Sequence, residues 1–373
     1  MPTKTSLELF QNNRKTLCYR MPAEWERHEA TWLTWPTNAV TWPGKMLKEV
    51  EDIYLQMMRA LLPGENVNLL VPDAKTGRKV SSLLGKAGSK NLILHQVETV
   101  DVWIRDYGPI FVRRQRTEDR EKKTNLSSEI AFCKFTFNAW GGKYKDLARD
   151  NAVVDRIRAL RSYKRFDVPF IFEGGSIDVN GLGTCLTTEQ CLLNSNRNPG
   201  LTKKRIETNI KKNLGVKKFI WLKDGIEGDD TDGHVDDITR FVGPRTILTA
   251  VEPDTHDKNH SRLEENLELL KRSTDQDGKK FTLIELPMPG RLLDEAGGRP
   301  LDDVRGRRLP ASYANFYIGN HSVLVPVYGH RNDRAAVRTL RKVFKDRKVV
   351  PIECAPLVHG LGSIHCVTQQ QPA

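Results

Sequence analysis

An α/β fold built from repeated units is predicted by three features of this 373-residue sequence. Amphipathic helical patterns alternate with short apolar, β-branched runs along the chain. After the first two, the helical patterns recur at loose intervals of roughly 50 to 75 residues, with no repeat in the sequence itself. No low-complexity linker divides the chain, which predicts a single domain over 1–373, with 1–20 as a flexible N-terminus.

Apolar positions at helical spacing predict helices over 46–62, 77–84, 150–161, 202–214, 259–271 and 333–344. Runs rich in β-branched and aromatic residues predict strands over 67–71, 92–97, 130–137, 219–222, 246–251, 281–286 and 323–327. Two polar stretches read as connections. One, 115–128, reads as a loop or hairpin tip; the other, 287–310, is rich in Gly, Pro, Arg and Asp and reads as a long connection. Neither a dinucleotide-binding glycine fingerprint nor a phosphate loop is present.

Composition narrows the function class. The chain is 38% hydrophobic and 28% charged, as soluble globular proteins are. No stretch reaches the ~18 consecutive apolar residues of a membrane span. The N-terminus lacks the apolar core of a secretory signal. A cytoplasmic protein with no membrane partner is expected. Cys18, Cys133, Cys185, Cys191, Cys354 and Cys366 are scattered, with no CxxC pair, which argues against a zinc site or a disulfide framework. The net charge is +12, but acidic residues interleave with several basic runs and no DNA- or RNA-binding motif is present. The surplus therefore reads as a solvated basic surface, with no nucleic-acid partner expected.

Four segments place polar chemistry in apolar surroundings. In Trp103-Ile104-Arg105-Asp106 an Arg-Asp pair ends an apolar run ahead of a Gly-Pro turn. In Phe172-Glu173-Gly174-Gly175 a carboxylate follows an apolar strand and precedes two glycines that permit close backbone approach. Between Asp229 and Asp237, five aspartates accompany His234. The spacing misses the calcium-loop pattern. On a strand, His234 and Asp236 would face one side and share a pocket. Finally, Cys366 lies between a glycine-containing loop and a polar tail. Each segment alone has a bland reading: surface turn, β-turn, solvated acidic loop, buried thiol. Together they offer a nucleophile, a histidine and three carboxylates. A plain cysteine hydrolase needs fewer acids. The surplus suggests a cationic substrate, and a planar guanidinium pairs well with carboxylates.

These segments, with Met21-Pro22-Ala23-Glu24-Trp25-Glu26, Asn194-Ser195-Asn196-Arg197-Asn198-Pro199 and Ile364-His365-Cys366-Val367-Thr368-Gln369-Gln370, closely resemble the agmatine deiminases of the guanidine-modifying (pentein) superfamily. The likeness runs nearly end to end. It implies a five-bladed, pseudo-symmetric α/β propeller of ββαβ-like units. It implies Cys366 as nucleophile, His234 as general acid/base, and Asp106 and Asp236 as the guanidinium clamp. Glu173 would pair with the substrate nitrogen or the histidine, with Trp103 and Asn315 as further substrate-binding residues. Implied too are hydrolysis of agmatine to N-carbamoylputrescine and ammonia through an amidino-cysteine, no metal and no organic cofactor. Deimination of free or peptidyl arginine and amidino transfer stay open, with Arg105 or Arg291 as partners for a substrate carboxylate. A non-enzymatic metal- or nucleic-acid-binding protein is the reading from another class. A homo-oligomer is also left open. The chain departs from the family pattern at Leu361, within a run that is usually all glycine, and at Asp178, where histidine is common.

Overall fold

A computed structural model describes residues 19–115, 129–294 and 306–373. Residues 116–128 of the loop expected over 115–128 and the middle of the 287–310 connection lie outside the described residues, as do 1–18 of the expected flexible N-terminus. Tyr19 and Arg20, the end of that segment, instead form a strand paired with Arg113 and Arg114.

The described strands form five small mixed sheets. Three repeat one plan. In the first, β8 (Ile177–Val179) runs antiparallel to β9 (Thr184–Thr188), which is parallel to β10 (Lys218–Leu222). The same order joins β11 (Thr239–Gly243), β12 (Thr246–Val251) and β13 (Thr282–Pro287), and then β14 (Tyr317–Ile318), β15 (Ser322–Val327) and β16 (Lys348–Glu353). A fourth sheet adds β1 (Tyr19–Arg20) to β5 (Ile110–Arg114), β6 (Ile130–Thr136) and β7 (Lys164–Ile171). The fifth unites the chain ends: β17 (Gln369–Pro372) lies antiparallel to β2 (His28–Thr34), followed by β3 (Asn66–Val71) and β4 (Leu92–Gln96) in parallel. The result is the five-bladed α/β propeller of the pentein fold.

Parallel neighbours need a crossover, which helices supply in four of the sheets. These are α1 (Met46–Leu61) and α2 (Ala74–Gly88, interrupted at Gly85) in the sheet that joins the ends, then α3 (Lys203–Leu214), α4 (Lys258–Arg272) and α5 (Asp333–Val343). Local chemistry sets their limits. Thr202 and Asp257 cap α3 and α4 with side-chain oxygens, and α3 stops at Gly215, whose φ of +69° is costly for other residues. The helix expected over 150–161 is instead a series of short turns, broken by extended backbone at Ile157. Asp150 accepts from Val100 N and Asp101 N, and Asn151 from Phe137 N. Those side chains tie the segment to neighbouring loops rather than to a continuous helix.

Trp32, Trp35 and Trp42 are fully buried core residues. The inner strands of the five blades then place the polar chemistry. Asp106 lies four residues before β5, Glu173 four before β8, Asp236 three before β11, Asn315 two before β14 and Cys366 three before β17. Five separate sequence segments thus deliver one polar side chain each from corresponding points of the five blades.

Candidate active site

A cavity of about 580 Å³ has Trp103, Asp106, Trp140, Leu361 and Cys366 in its wall. Trp103 packs against Trp42 and Trp140, with ring centroids 5.9 and 6.5 Å away. The loop before Cys366 passes close to this ring: a Cβ at Gly362 would sit 2.4 Å from it, and one at Gly360 2.7 Å from Trp42. Leu361, between them, is held at φ +73°. A non-glycine residue there costs on the order of 1–3 kcal/mol.

The carboxylates are fixed from several sides. A short helix, Ile104–Tyr107, carries Asp106. Its Oδ2 accepts from Trp140 Nε1 at 2.9 Å and its Oδ1 from Gly175 N at 3.0 Å. Trp140 reaches it from backbone in the left-handed region, at φ +54°. Glu173 Oε1 accepts from buried Arg197 Nε at 2.9 Å. Asp236 Oδ2 lies 2.6 Å from His365 Nδ1, whose other ring nitrogen is 2.7 Å from Glu24 Oε2.

His234 stands among these acids without bonding to them. Its Nδ1 is 3.9 Å from both Asp106 Oδ1 and Asp236 Oδ1, and its Nε2 is 3.9 Å from Glu173 Oε2. Those gaps exceed a hydrogen bond. Both His234 nitrogens, Glu173 Oε2 and Asp236 Oδ1 are buried with no hydrogen-bond partner among the described residues. Each such group costs roughly 1–3 kcal/mol, so four together mark a functional arrangement rather than packing. Gly175 permits it: a Cβ there would lie 2.6 Å from His234 Nδ1, 3.0 Å from Asp106 and 3.1 Å from Asp236.

The shared strand face expected for His234 and Asp236 is not what joins them. Val235–Asp237 is a 3-10 turn. Asp229 accepts from the backbone N–H groups of Thr231, Gly233 and His234, and Gly233 takes φ +86°, so the segment coils. Asn315 lies against the nucleophile: its amide spans Asp237 Oδ1 at 2.8 Å and Cys366 Sγ at 3.1 Å, while its oxygen accepts from His365 N at 2.9 Å. Arg105 is buried against His365 O, Gln370 and Glu24, and Arg291 lies in the wall of a different cavity.

Burial pushes the Cys366 thiol well up, and the charges of Asp236, Asp237 and Asp106 push it further. Burial also disfavours the His234 cation, but Asp106, Cys191 and Glu173 outweigh it and hold the imidazole well above its usual range. Burial raises Asp106 to about 6, against the pull of His234 and with help from Asp236 and Glu173. Glu173 stays below the usual carboxylate range despite burial, because Arg197 faces it. A buried cation placed among these acids would relieve their mutual repulsion and lower the barrier to a thiolate.

Residues 20–372 match the family described as Porphyromonas-type peptidyl-arginine deiminases. The chain belongs to this family. It is 39% identical over 370 residues to an agmatine deiminase of Medicago truncatula, covering 95% of this chain and 96% of that one. Among solved structures, it matches the agmatine deiminase of Enterococcus faecalis with a TM-score of 0.83 and 31% identity, over 95% and 96% of the two chains. A cysteine-to-serine variant of the agmatine deiminase of C. jejuni with substrate bound gives 0.79 and 31% over the same shares.

Within this family member, both departures have local explanations. Asp178 Oδ2 accepts from Arg240 Nε at 2.8 Å and Phe241 N at 3.0 Å, so the carboxylate is fixed in a buried ion pair. Leu361 adds apolar wall to the cavity at the cost of its backbone conformation. Sequence reasoning gave no role to Trp140, Arg197, His365 or Asp237, which hold the acids and the thiol in place. His365 was adjacent to the nucleophile candidate, but nothing in the sequence indicates that its ring bridges Asp236 and Glu24. Among the described residues, no helix is long and apolar enough to cross a membrane.

Proposed function

We propose that this protein is an agmatine deiminase that hydrolyses agmatine to N-carbamoylputrescine and ammonia. The observation that carries the reading is the ring of buried acids around His234, with unpartnered atoms, beside the Cys366 thiol. A guanidinium supplies five N–H donors in one plane, which suits Asp106, Asp236 and Glu173. Its charge offsets the acids that keep Cys366 protonated, so binding favours the thiolate. Cys366 Sγ then bonds to the central carbon. His234 gives a proton to the departing nitrogen, and ammonia leaves. An amidino-thioether remains on Cys366. Water attacks it, passing a proton to His234, and the carbon–sulfur bond breaks to release the urea product and the thiol. The proton that Cys366 loses in becoming the thiolate passes to solvent, where the departed ammonia takes it up as ammonium.

Arg105 is spent inside the fold and Arg291 lies outside this cavity, which favours a substrate without a carboxylate. The deciding experiment measures ammonia release from agmatine, free arginine and an arginyl peptide in parallel. Agmatine should exceed the others in kcat/KM by about a hundredfold or more. Faster turnover of either arginine substrate would overturn the assignment.

A further inference from the structure

We propose that Glu173, Cys191 and His234 form a zinc site that switches the deiminase off; the switching clause rests on His234 as the acid/base of the reaction above. Cys191 makes and breaks no bond in that chemistry and acts on it only as a neighbour of the His234 imidazole. It is fully buried in the short helix Glu189–Leu192, fixed there by Thr188 Oγ1, which accepts from Cys191 N at 3.2 Å. One donor atom from each of Glu173, Cys191 and His234 lies within 4.8 Å of the others. Tetrahedral zinc, with ligands at about 2.0–2.3 Å, needs donor separations of roughly 3.3–3.8 Å, so closure requires only small side-chain movements. A nitrogen, a sulfur and a carboxylate oxygen are the donor types zinc prefers.

The second observation is independent of that spacing. Glu173 Oε2 and both nitrogens of His234 have no hydrogen-bond partner among the described residues, although both residues are at most 1% exposed. Arg197 faces Glu173 through Oε1 and leaves Oε2 free. Asp106 and Asp236, on the other side of the imidazole, offset the charge of Arg197. A rival trio, Asp236, Asp237 and Cys366, also lies within 4.8 Å, but most of its donor capacity is already used. Asp236 Oδ2 holds His365 and leaves only Oδ1 free, and Asn315 bonds both Asp237 and Cys366. Around Cys191, Glu173 Oε2 and both His234 nitrogens are free among the described residues. Coordination would release the Cys191 thiol proton and one proton of the His234 imidazolium to solvent, and occupy a His234 nitrogen and Glu173 Oε2. The reaction would then lack its proton carrier and one of its acids.

The test adds cobalt(II) to chelator-treated protein and reads the sulfur-to-cobalt charge-transfer absorption in the wild type, Cys366→Ala and Cys191→Ser. Ammonia release from agmatine is titrated with zinc in the wild type and Cys191→Ser, with Cys191→Ala as a second variant should the serine not fold. The wild type and Cys366→Ala should show the band and Cys191→Ser should lose it. Uninhibited activity should survive in Cys191→Ser, and half-inhibition should need about a hundredfold more zinc. No band in the wild type, a band that persists in Cys191→Ser, or unchanged zinc sensitivity in that variant would overturn the proposal. A Cys191-dependent band in a protein that releases no ammonia would instead overturn the deiminase reading and the switch, leaving the metal site.

Discussion

Cys366→Ala should lose ammonia release by about 10⁴-fold or more while still binding agmatine. Removing a nucleophile that acts jointly with its acid/base eliminates most of what the whole set contributes. Binding survives because Asp106, Glu173 and Asp236 keep their own supports, Trp140 with Gly175 N, Arg197 and His365. The loss of Sγ removes one acceptor of the Asn315 amide, but Asn315 retains Asp237 and the backbone N–H of His365. Stability should therefore change little. Calorimetric titration of agmatine into the variant, beside an ammonia assay, checks both halves. Turnover within tenfold of the wild type would remove Cys366 from the mechanism.

Asp106→Asn should lower kcat/KM by about 10²- to 10³-fold, the consequence of breaking one partner of a buried charged pair at roughly 3–4 kcal/mol. The amide also meets two donors, Trp140 Nε1 and Gly175 N, of which its single oxygen can satisfy only one side well. Acidity provides the accompanying signature. Asp106 titrates at about 6 in the free site, so it is a carboxylate above that pH and a neutral acid below it. Guanidinium binding needs the carboxylate, so wild-type kcat/KM should fall about tenfold per pH unit as pH drops below about 6. The variant should lack that limb in its residual activity. A pH–rate profile of both proteins decides it; an acid limb unchanged in Asp106→Asn would assign the titration elsewhere.

Much of the outer architecture could be read from residue pattern. The apolar strands over 67–71, 246–251 and 323–327 and the helices beginning at 46 and 333 appear as expected, since each combines strong periodicity with burial in the apolar core. The inner strands were harder to see. β8, β14 and β17 have two to four residues and carry polar groups such as Asp178 and Gln369, so neither length nor alternation marks them. The helix expected over 150–161 failed for a related reason: Asp150 and Asn151 satisfy distant backbone groups that no local pattern reveals.

The polar cluster was legible as residues but not as geometry. Asp106, Glu173, His234, Asp236 and Cys366 stood out by position in apolar surroundings, and the fold brings all five together. Their supports did not stand out. Arg197 lies 24 residues from Glu173 in sequence and Glu24 lies 341 from His365, separations that only blade-to-blade packing closes. Cys191 is the sharpest case. Its spacing argued against a metal role, yet chain crossing places its sulfur beside His234 and Glu173.

Covalent attack by Cys366 on the guanidinium carbon is the centre of the account, and acid quenching during turnover tests it most directly. Wild-type protein mixed with excess agmatine, quenched within a turnover and digested, should show by mass spectrometry an amidino adduct on the peptide containing Cys366. The adduct should appear before the rise in N-carbamoylputrescine levels off and be absent without agmatine. Steady ammonia release with no adduct on Cys366, or with the adduct on another residue, would contradict it.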